Sequence, residues 1–258
     1  MVDYFLNLFK QYAKQSAVIW KDKEYSYQWL VDQIDGFGKK LTNQGIEKNS
    51  VVAIEGDFSP TSIALFFALA KLNCILVPLS RYIGPKKPEF LEISKPEFIL
   101  ELDSNDEVTT TKLQKFDKHP LFKKLVDIDK PGLVVFSSGT DGKTKAAVHN
   151  LELILDKFQV RRHQIRLLTF LLFDHLGGIN TMLYALSNAG AIVAVTERTP
   201  DEVFRLIEKH KVELLPCSPT FLNLCLLGEV YNRYDFSSLQ MISYGTEPML
   251  ESTLKKAN

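Results

Sequence analysis

Leu133-Val-Val-Phe-Ser-Ser-Gly-Thr-Asp-Gly-Lys-Thr-Lys-Ala-Ala-Val-His149 reads as strand, turn and strand. Leu133 to Phe136 is a short apolar run of the kind a buried strand needs. The turn from Ser137 to Lys145 holds two glycines and four hydroxyl side chains. Gly139 and Gly142 let the backbone bend sharply and approach a ligand closely. Successive amide N–H groups in such a bend form a concave anion site. Ser137, Ser138, Thr140 and Thr144 add hydroxyl donors, and Lys143 and Lys145 add positive charge. A polyphosphate suits that combination of short hydrogen bonds and a cation. Ala146 to His149 reads as a second short strand, and Asn150 caps the helix after it.

Strand and helix patterns alternate on both sides of this turn. Upstream, Ala17 to Trp20 and Glu24-Tyr25 flank the polar turn Lys21-Asp22-Lys23 as a hairpin. Ser26 caps a helix with Trp29, Leu30, Ile34, Phe37 and Leu41 on its apolar face. Val51 to Ile54 and Cys74 to Val77 read as buried strands, with a helix between them opened by Ser59-Pro60. Glu101 to Lys118 is rich in Asp, Thr and Lys and reads as an exposed connection. Downstream, Leu167 to Phe173, Ala191 to Val195, Val212 to Leu215 and Leu239 to Ser243 read as strands. Helices over Ile179 to Leu186 and Thr220 to Leu227 fall between them. Thr199-Pro200-Asp201-Glu202 has the form of a capping box. Both termini read as amphipathic helices, the first with Phe5, Leu8, Phe9 and Tyr12 on one face. This is the pattern of an α/β fold, with mostly parallel sheets layered with helices.

Composition narrows the function. Lys+Arg and Asp+Glu number 31 each, so no global field draws nucleic acid. The longest apolar stretch, Ile63 to Leu79, is broken by Lys71 and Asn73, so no membrane span is expected. Cys74, Cys217 and Cys225 form no CxxC and no metal spacing, and they read as buried hydrophobes in a reducing cytoplasmic setting.

Two phosphate-loop types compete for Ser137 to Lys145. The Walker A pattern is GxxxxGK followed by Ser or Thr; Gly142-Lys143-Thr144 matches its end, but Ser137 stands at its first glycine. A Walker loop also runs straight into a helix, whereas Ala146 to His149 reads as strand. The second type is the loop of the acyl-adenylate-forming superfamily, which comprises acyl-CoA synthetases, luciferases and peptide-synthetase adenylation domains. Ser137, Ser138, Gly139, Thr140, Gly142 and Lys145 resemble that loop place by place. Asp141 stands where a hydroxyl is usual, Thr144 where proline is, and Ala146 where glycine is. Four further segments resemble the family in order: Tyr25 to Leu30, Ala70 to Leu79, Leu172-Phe-Asp-His-Leu-Gly-Gly178, and Asp235 to Pro248.

The resemblance implies a partial N-terminal adenylation domain over 1–258, with approximate subdomains 1–100 and 131–258 joined by an exposed segment 101–130. It implies ATP-dependent activation of a carboxylic acid, with transfer to CoA or a carrier-protein thiol. Ser137, Ser138, Gly139, Thr140, Asp141 and Gly142 would wrap the phosphates, with Lys145 adding charge. His175 would orient or gate the carboxylate, and Asp174 would either fix its tautomer or cap the next helix. Gly245, Thr246, Glu247 and Pro248 would wall the adenine site, and Pro219 and Phe221 would line the acyl pocket, with core packing the equal alternative for Phe221. No metal ligand is expected within the chain; the Mg²⁺ ligands and the mobile C-terminal lid domain with its lysine would lie beyond Asn258. On that register the 258 residues alone would not complete the reaction. A non-catalytic domain that keeps the fold is the alternative, carried by Asp141 and Thr144.

Overall fold

The computed structural model describes residues 1–138, 143–245 and 247–257, without the side chains of Ser138, Ser252 and Ala257. Helix α1 (Val2–Gln11) buries Phe5, Leu6, Leu8 and Phe9 on one face. Strands β1 (Ser16–Trp20) and β2 (Lys23–Ser26) form the expected hairpin, turning through left-handed Lys21 and Asp22. Ser26 accepts from the Trp29 amide at 3.1 Å and opens α2 (Tyr27–Asn43). After β3 (Val51–Gly56), Ser59 and Ser62 cap each other's amides at the start of α3 (Pro60–Lys71). Then follow β4 (Ile75–Ser80), a 3-10 turn (Arg81–Lys86), α4 (Lys87–Ser94) and β5 (Phe98–Leu102).

The segment read as an exposed connection is not without structure. It supplies the end of β5, the edge strand β6 (Val108–Lys112) and, further on, α5 (Pro120–Asp127). Strand β6 pairs antiparallel to β5 with its side chains largely in solvent. Its Thr and Lys residues suit such an edge, where charge discourages further pairing.

The next antiparallel pair is β7 (Gly132–Ser138) and β8 (Thr144–Asn150). Next come α6 (Leu151–Asp156), capped by Asn150, then β9 (Arg166–Leu168) and α7 (Leu176–Ser187). Strand β9 is shorter than its apolar run, because Phe170 onward leaves the ladder. The chain closes with β10 (Ala191–Ala194), α8 (Pro200–His210), β11 (Leu214–Cys217), α9 (Pro219–Leu227), β12 (Met241–Tyr244) and α10 (Glu251–Ala257). At α8, Thr199 caps as expected, but Glu202 does not reciprocate. Its carboxylate takes two 2.7 Å bonds from Arg205 one turn on, a charged pair that outbids a backbone amide.

Among the described residues the strands form two six-stranded sheets. One runs β12-β11-β9-β10-β1-β2 and the other β6-β5-β3-β4-β7-β8. Pairing is parallel throughout except at β1–β2, β5–β6 and β7–β8. The sheets interleave along the chain, since β1 and β2 join strands that come after residue 165. Alternate residues of each strand point to opposite faces. Val52 and Ile54 therefore enter the central core with Phe5, Phe9, Phe66 and Phe67, while Val51 and Ala53 face Phe90 and Phe122 on the outside. Helices α8 and α9 cover the outer face of the first sheet through Val203, Ile207 and Phe221. The layers run helix, sheet, helix, sheet, helix. All three cysteines are buried and free, and burial pushes the Cys74 thiol up to about 12. Among the described residues no helix is long and apolar enough to cross a membrane.

Two positions test this packing. The Tyr27 hydroxyl donates to the Gly190 carbonyl at 2.7 Å in the buried centre. Tyr27→Phe leaves that carbonyl unsatisfied and should cost about 1–2 kcal/mol, read as a lower urea midpoint at unchanged slope. A Cβ on Gly178 would stand 2.1 Å from the Leu172 carbonyl oxygen, whereas one on Gly177 would meet only the mobile end of Leu171 at 3.1 Å. Gly178→Ala should therefore cost about 1–3 kcal/mol or more, and Gly177→Ala well under 1 kcal/mol. Equal melting temperatures for the two variants would contradict the packing.

Candidate functional site

In parallel sheets, ligands gather at the carboxyl ends of the strands, where the chain leaves the ladder and its side chains are free to converge. Here those ends meet between the two sheets. Ser137 and Ser138 end β7, and β8 returns directly alongside, with Ser137 opposite Lys145 and Ser138 opposite Thr144. The residue after Lys145 thus continues a strand, not a helix. Of the expected phosphate-wrapping residues, Gly139, Thr140, Asp141 and Gly142 are outside the described residues. Helix α4 braces the hairpin: Thr144 donates its amide to Glu89 Oε1 at 3.3 Å, and Phe90 stacks on Phe136 at 4.1 Å. Lys143 and Lys145 are both exposed.

His175 stands at the N-terminal cap of α7 and is 60% exposed. It and Ser137 share the lining of a cleft of about 770 Å³, with Phe136, Phe170, Leu171, Leu172, Leu176, Tyr82 and Arg198. A side cavity of about 280 Å³ adjoins it through Ser137, Tyr82, Phe136, Leu172 and His175, and adds Ser80, Lys86, Thr144 and Asp174. Two of the expected site residues, far apart in sequence, are thereby brought to one place.

Asp174 takes neither expected role. Its Oδ1 lies 3.8 Å from His175 Nε2, too far to hold a tautomer, and α7 has no side-chain cap. Instead Oδ2 accepts the Ser80 amide at 3.1 Å, tying α7 to the end of β4. Burial pushes this carboxyl above its ordinary range, with His175 opposing, and Oδ1 has no hydrogen-bond partner.

The third group of expected residues lies elsewhere. Gly245, Glu247 and Pro248 are exposed and line neither cavity; Thr246 is outside the described residues. Glu247 Oε2 accepts from the Thr220 amide at 3.1 Å and its hydroxyl at 2.5 Å, so it holds the first turn of α9. Phe221 is buried and packs its ring 4.2 Å from Phe170, backing the cleft wall rather than lining it. A larger hollow, about 1170 Å³ beside β11, β12 and α7, contains none of the expected residues.

Sequence reasoning missed Tyr82, Asp57 and Arg198. Arg198 clamps Asp57 with two bonds, 2.6 and 3.0 Å, and donates Nε–H to the Phe170 carbonyl at 2.5 Å. The one available signal was position: each follows closely on a buried strand.

The matches to known proteins fit this geometry. Indoleacetate–CoA ligase of Aromatoleum aromaticum is 26% identical, aligned over 95% of this chain and 54% of the ligase. Luciferin 4-monooxygenase of Nipponoluciola cruciata is 25% identical, over 93% of this chain and 53% of that protein. The chain thus spans about half the length of these curated relatives. Among solved structures, the N-terminal subdomain of Klebsiella oxytoca NpsA, in complex with 3-hydroxyanthranilyl-AMSN, superposes with a TM-score of 0.81 at 17% identity, over 100% of this chain and 68% of that one. A luciferase-like enzyme of Zophobas morio gives the same score at 20% identity, over 99% and 68%. The fold is that of the N-terminal part of adenylate-forming enzymes. The family model for AMP-binding enzymes matches residues 7–258, and the chain belongs to the AMP-binding enzyme family.

Proposed function

We propose that this chain provides the acid- and nucleotide-binding half of an enzyme that activates a carboxylic acid with ATP, forming an acyl-adenylate and releasing pyrophosphate, for transfer to a thiol of CoA or a carrier protein. The observation that carries it is the meeting of Ser137, at the root of the phosphate turn, with His175 in one apolar-walled cleft. Relatives named as CoA ligases support CoA as a thiol acceptor.

The chemistry suits what the cleft offers. A carboxylate is ionised at neutral pH, so its oxygen attacks the α-phosphate without a general base. The bond from that phosphorus to the bridging oxygen breaks, and its electron pair leaves with pyrophosphate. The obstacle is repulsion between an anion and a polyanion, so catalysis comes from positioning and charge neutralisation. Ser137 and Ser138 end β7, and Lys145 lies opposite Ser137 across the hairpin. A glycine- and hydroxyl-rich sequence with a lysine beside it suits a polyphosphate, since amides and hydroxyls can donate to it and the lysine would offset its charge. His175, exposed at the start of α7 and lining the cleft, would donate a hydrogen bond to the acid's carboxylate. A Walker-type reading is disfavoured by the strand that follows Lys145.

Binding, rather than turnover, tests the reading directly. An acylsulfamoyl adenosine, in which the sulfamoyl linkage replaces the acyl phosphate, should bind the chain in calorimetry and be displaced by ATP. Lys145→Ala should weaken ATP about 10- to 100-fold, the worth of one charge-assisted contact to phosphate. ATP affinity unchanged by Lys145→Ala would place the phosphates elsewhere.

A further inference from the structure

We propose that the Arg198–Asp57 pair is a specificity element: it neutralises the one permanently charged side chain among the described residues that line the larger cleft, so that the cleft takes monocarboxylic acids with an uncharged, apolar body and discriminates against a second carboxylate. This inference rests on the adenylation reading above and names the class of acid that the same site accepts.

The lining makes the first part of the case. Phe136, Phe170, Leu171, Leu172 and Leu176 form the walls, and among the described lining residues only Arg198 carries a permanent charge. A guanidinium in such a wall would ordinarily recruit an anion, because its planar fork matches a carboxylate. Here the guanidinium already has a carboxylate partner, and three of its five N–H donors are taken. Two parallel bonds of 2.6 and 3.0 Å join it to Asp57, and its Nε–H is taken by the Phe170 carbonyl. The pair is largely out of water, with side chains 16% and 12% exposed.

The second part is the rigidity of the acceptor. Asp57 Oδ1 also accepts the Phe58 amide at 2.8 Å, which fixes the carboxylate on the turn after β3. Tyr82 flanks the guanidinium, its ring 5.8 Å from the Arg198 carbon. A second carboxylate on the acid would have to displace Asp57 from this setting, or lie unpaired against leucine and phenylalanine side chains. Either route strips an anion of water without a compensating charge. An alkyl or aryl body meets no such penalty and gains by burying apolar surface.

The test compares two ligands that differ in one terminal group, octanoyl-sulfamoyladenosine and its 7-carboxyheptanoyl counterpart, by calorimetry on the full chain. Wild type should bind the octanoyl compound at least about tenfold more tightly, a modest share of the cost of desolvating an unpaired carboxylate. Asp57→Asn removes the internal counter-charge, and the ratio should fall to within about threefold as Arg198 turns to the ligand's carboxylate. Adding Arg198→Met to that variant leaves a neutral wall and should restore the preference. Equal binding of the two compounds by wild type overturns the proposal, with no variant needed. So does a ratio that Asp57→Asn leaves unchanged in a protein whose circular dichroism and melting match wild type. Failure of both compounds to bind wild type overturns the adenylation reading itself, and this inference with it.

Discussion

A parallel sheet cannot leave a face in water, because its crossover helices must cover both sides. This chain meets that demand with one helical layer shared by two sheets. Phe5 and Phe9 of α1, Tyr27 and Leu30 of α2, and Phe66 and Phe67 of α3 fill the space between them, and all are essentially inaccessible. The aromatic rings interlock: Phe67 packs 5.5 Å from Phe5 and 5.3 Å from Phe9, and Phe9 lies 5.1 Å from Tyr27. Each such side chain contributes about 1.5–3 kcal/mol on burial. The shared layer does more than stabilise. It holds the carboxyl ends of both sets of strands toward one crevice, and the cleft exists only because both arrive there.

The crevice is drawn closed by polar ties that cross it. Arg198 leaves the end of β10 and reaches Asp57 beyond β3. Asp174 leaves the start of α7 and reaches Ser80 at the end of β4. Elsewhere helix and loop lysines balance carboxylates on or beside the second sheet: Lys87 of α4 bridges Glu55 at 2.6 Å and Glu101 at 3.1 Å, and Lys118 neutralises Glu97 at 2.5 Å. A chain with no net charge therefore still has strong local fields, and the ones that span the crevice involve residues that line it or stand behind it.

What the sequence disclosed follows from the range of each interaction. Val51 to Ile54, Cys74 to Val77 and Leu133 to Phe136 were legible as strands because a strand buried on both faces leaves a continuous apolar run. Helix starts were legible at Ser26, Ser59 and Asn150, where a cap acts within three residues. Strand β6 was not, since an edge strand needs no apolar run, and Leu167 to Phe173 looked longer than β9 because Phe173 is buried against Phe58 and Phe66 rather than in the ladder. In the site, Ser137 and His175 stood out through their immediate neighbours. Arg198 and Asp57 lie 141 positions apart, and no local pattern joins them. Glu247 resembled a ligand-facing residue in its motif, yet the first turn of α9 claims its carboxylate.

The bond between Asp174 and Ser80 divides its tolerance to change unevenly. Residue 80 offers only its main-chain N–H to this tie, which every amino acid but proline possesses. Its hydroxyl is spent differently, accepting the Tyr82 amide to start the short turn that carries Tyr82 to the cleft. Residue 174 must supply a side-chain oxygen at one fixed reach, which among the twenty residues only aspartate and asparagine do. Drift at position 80 should therefore follow the needs of the turn alone, while position 174 is held to two residue types.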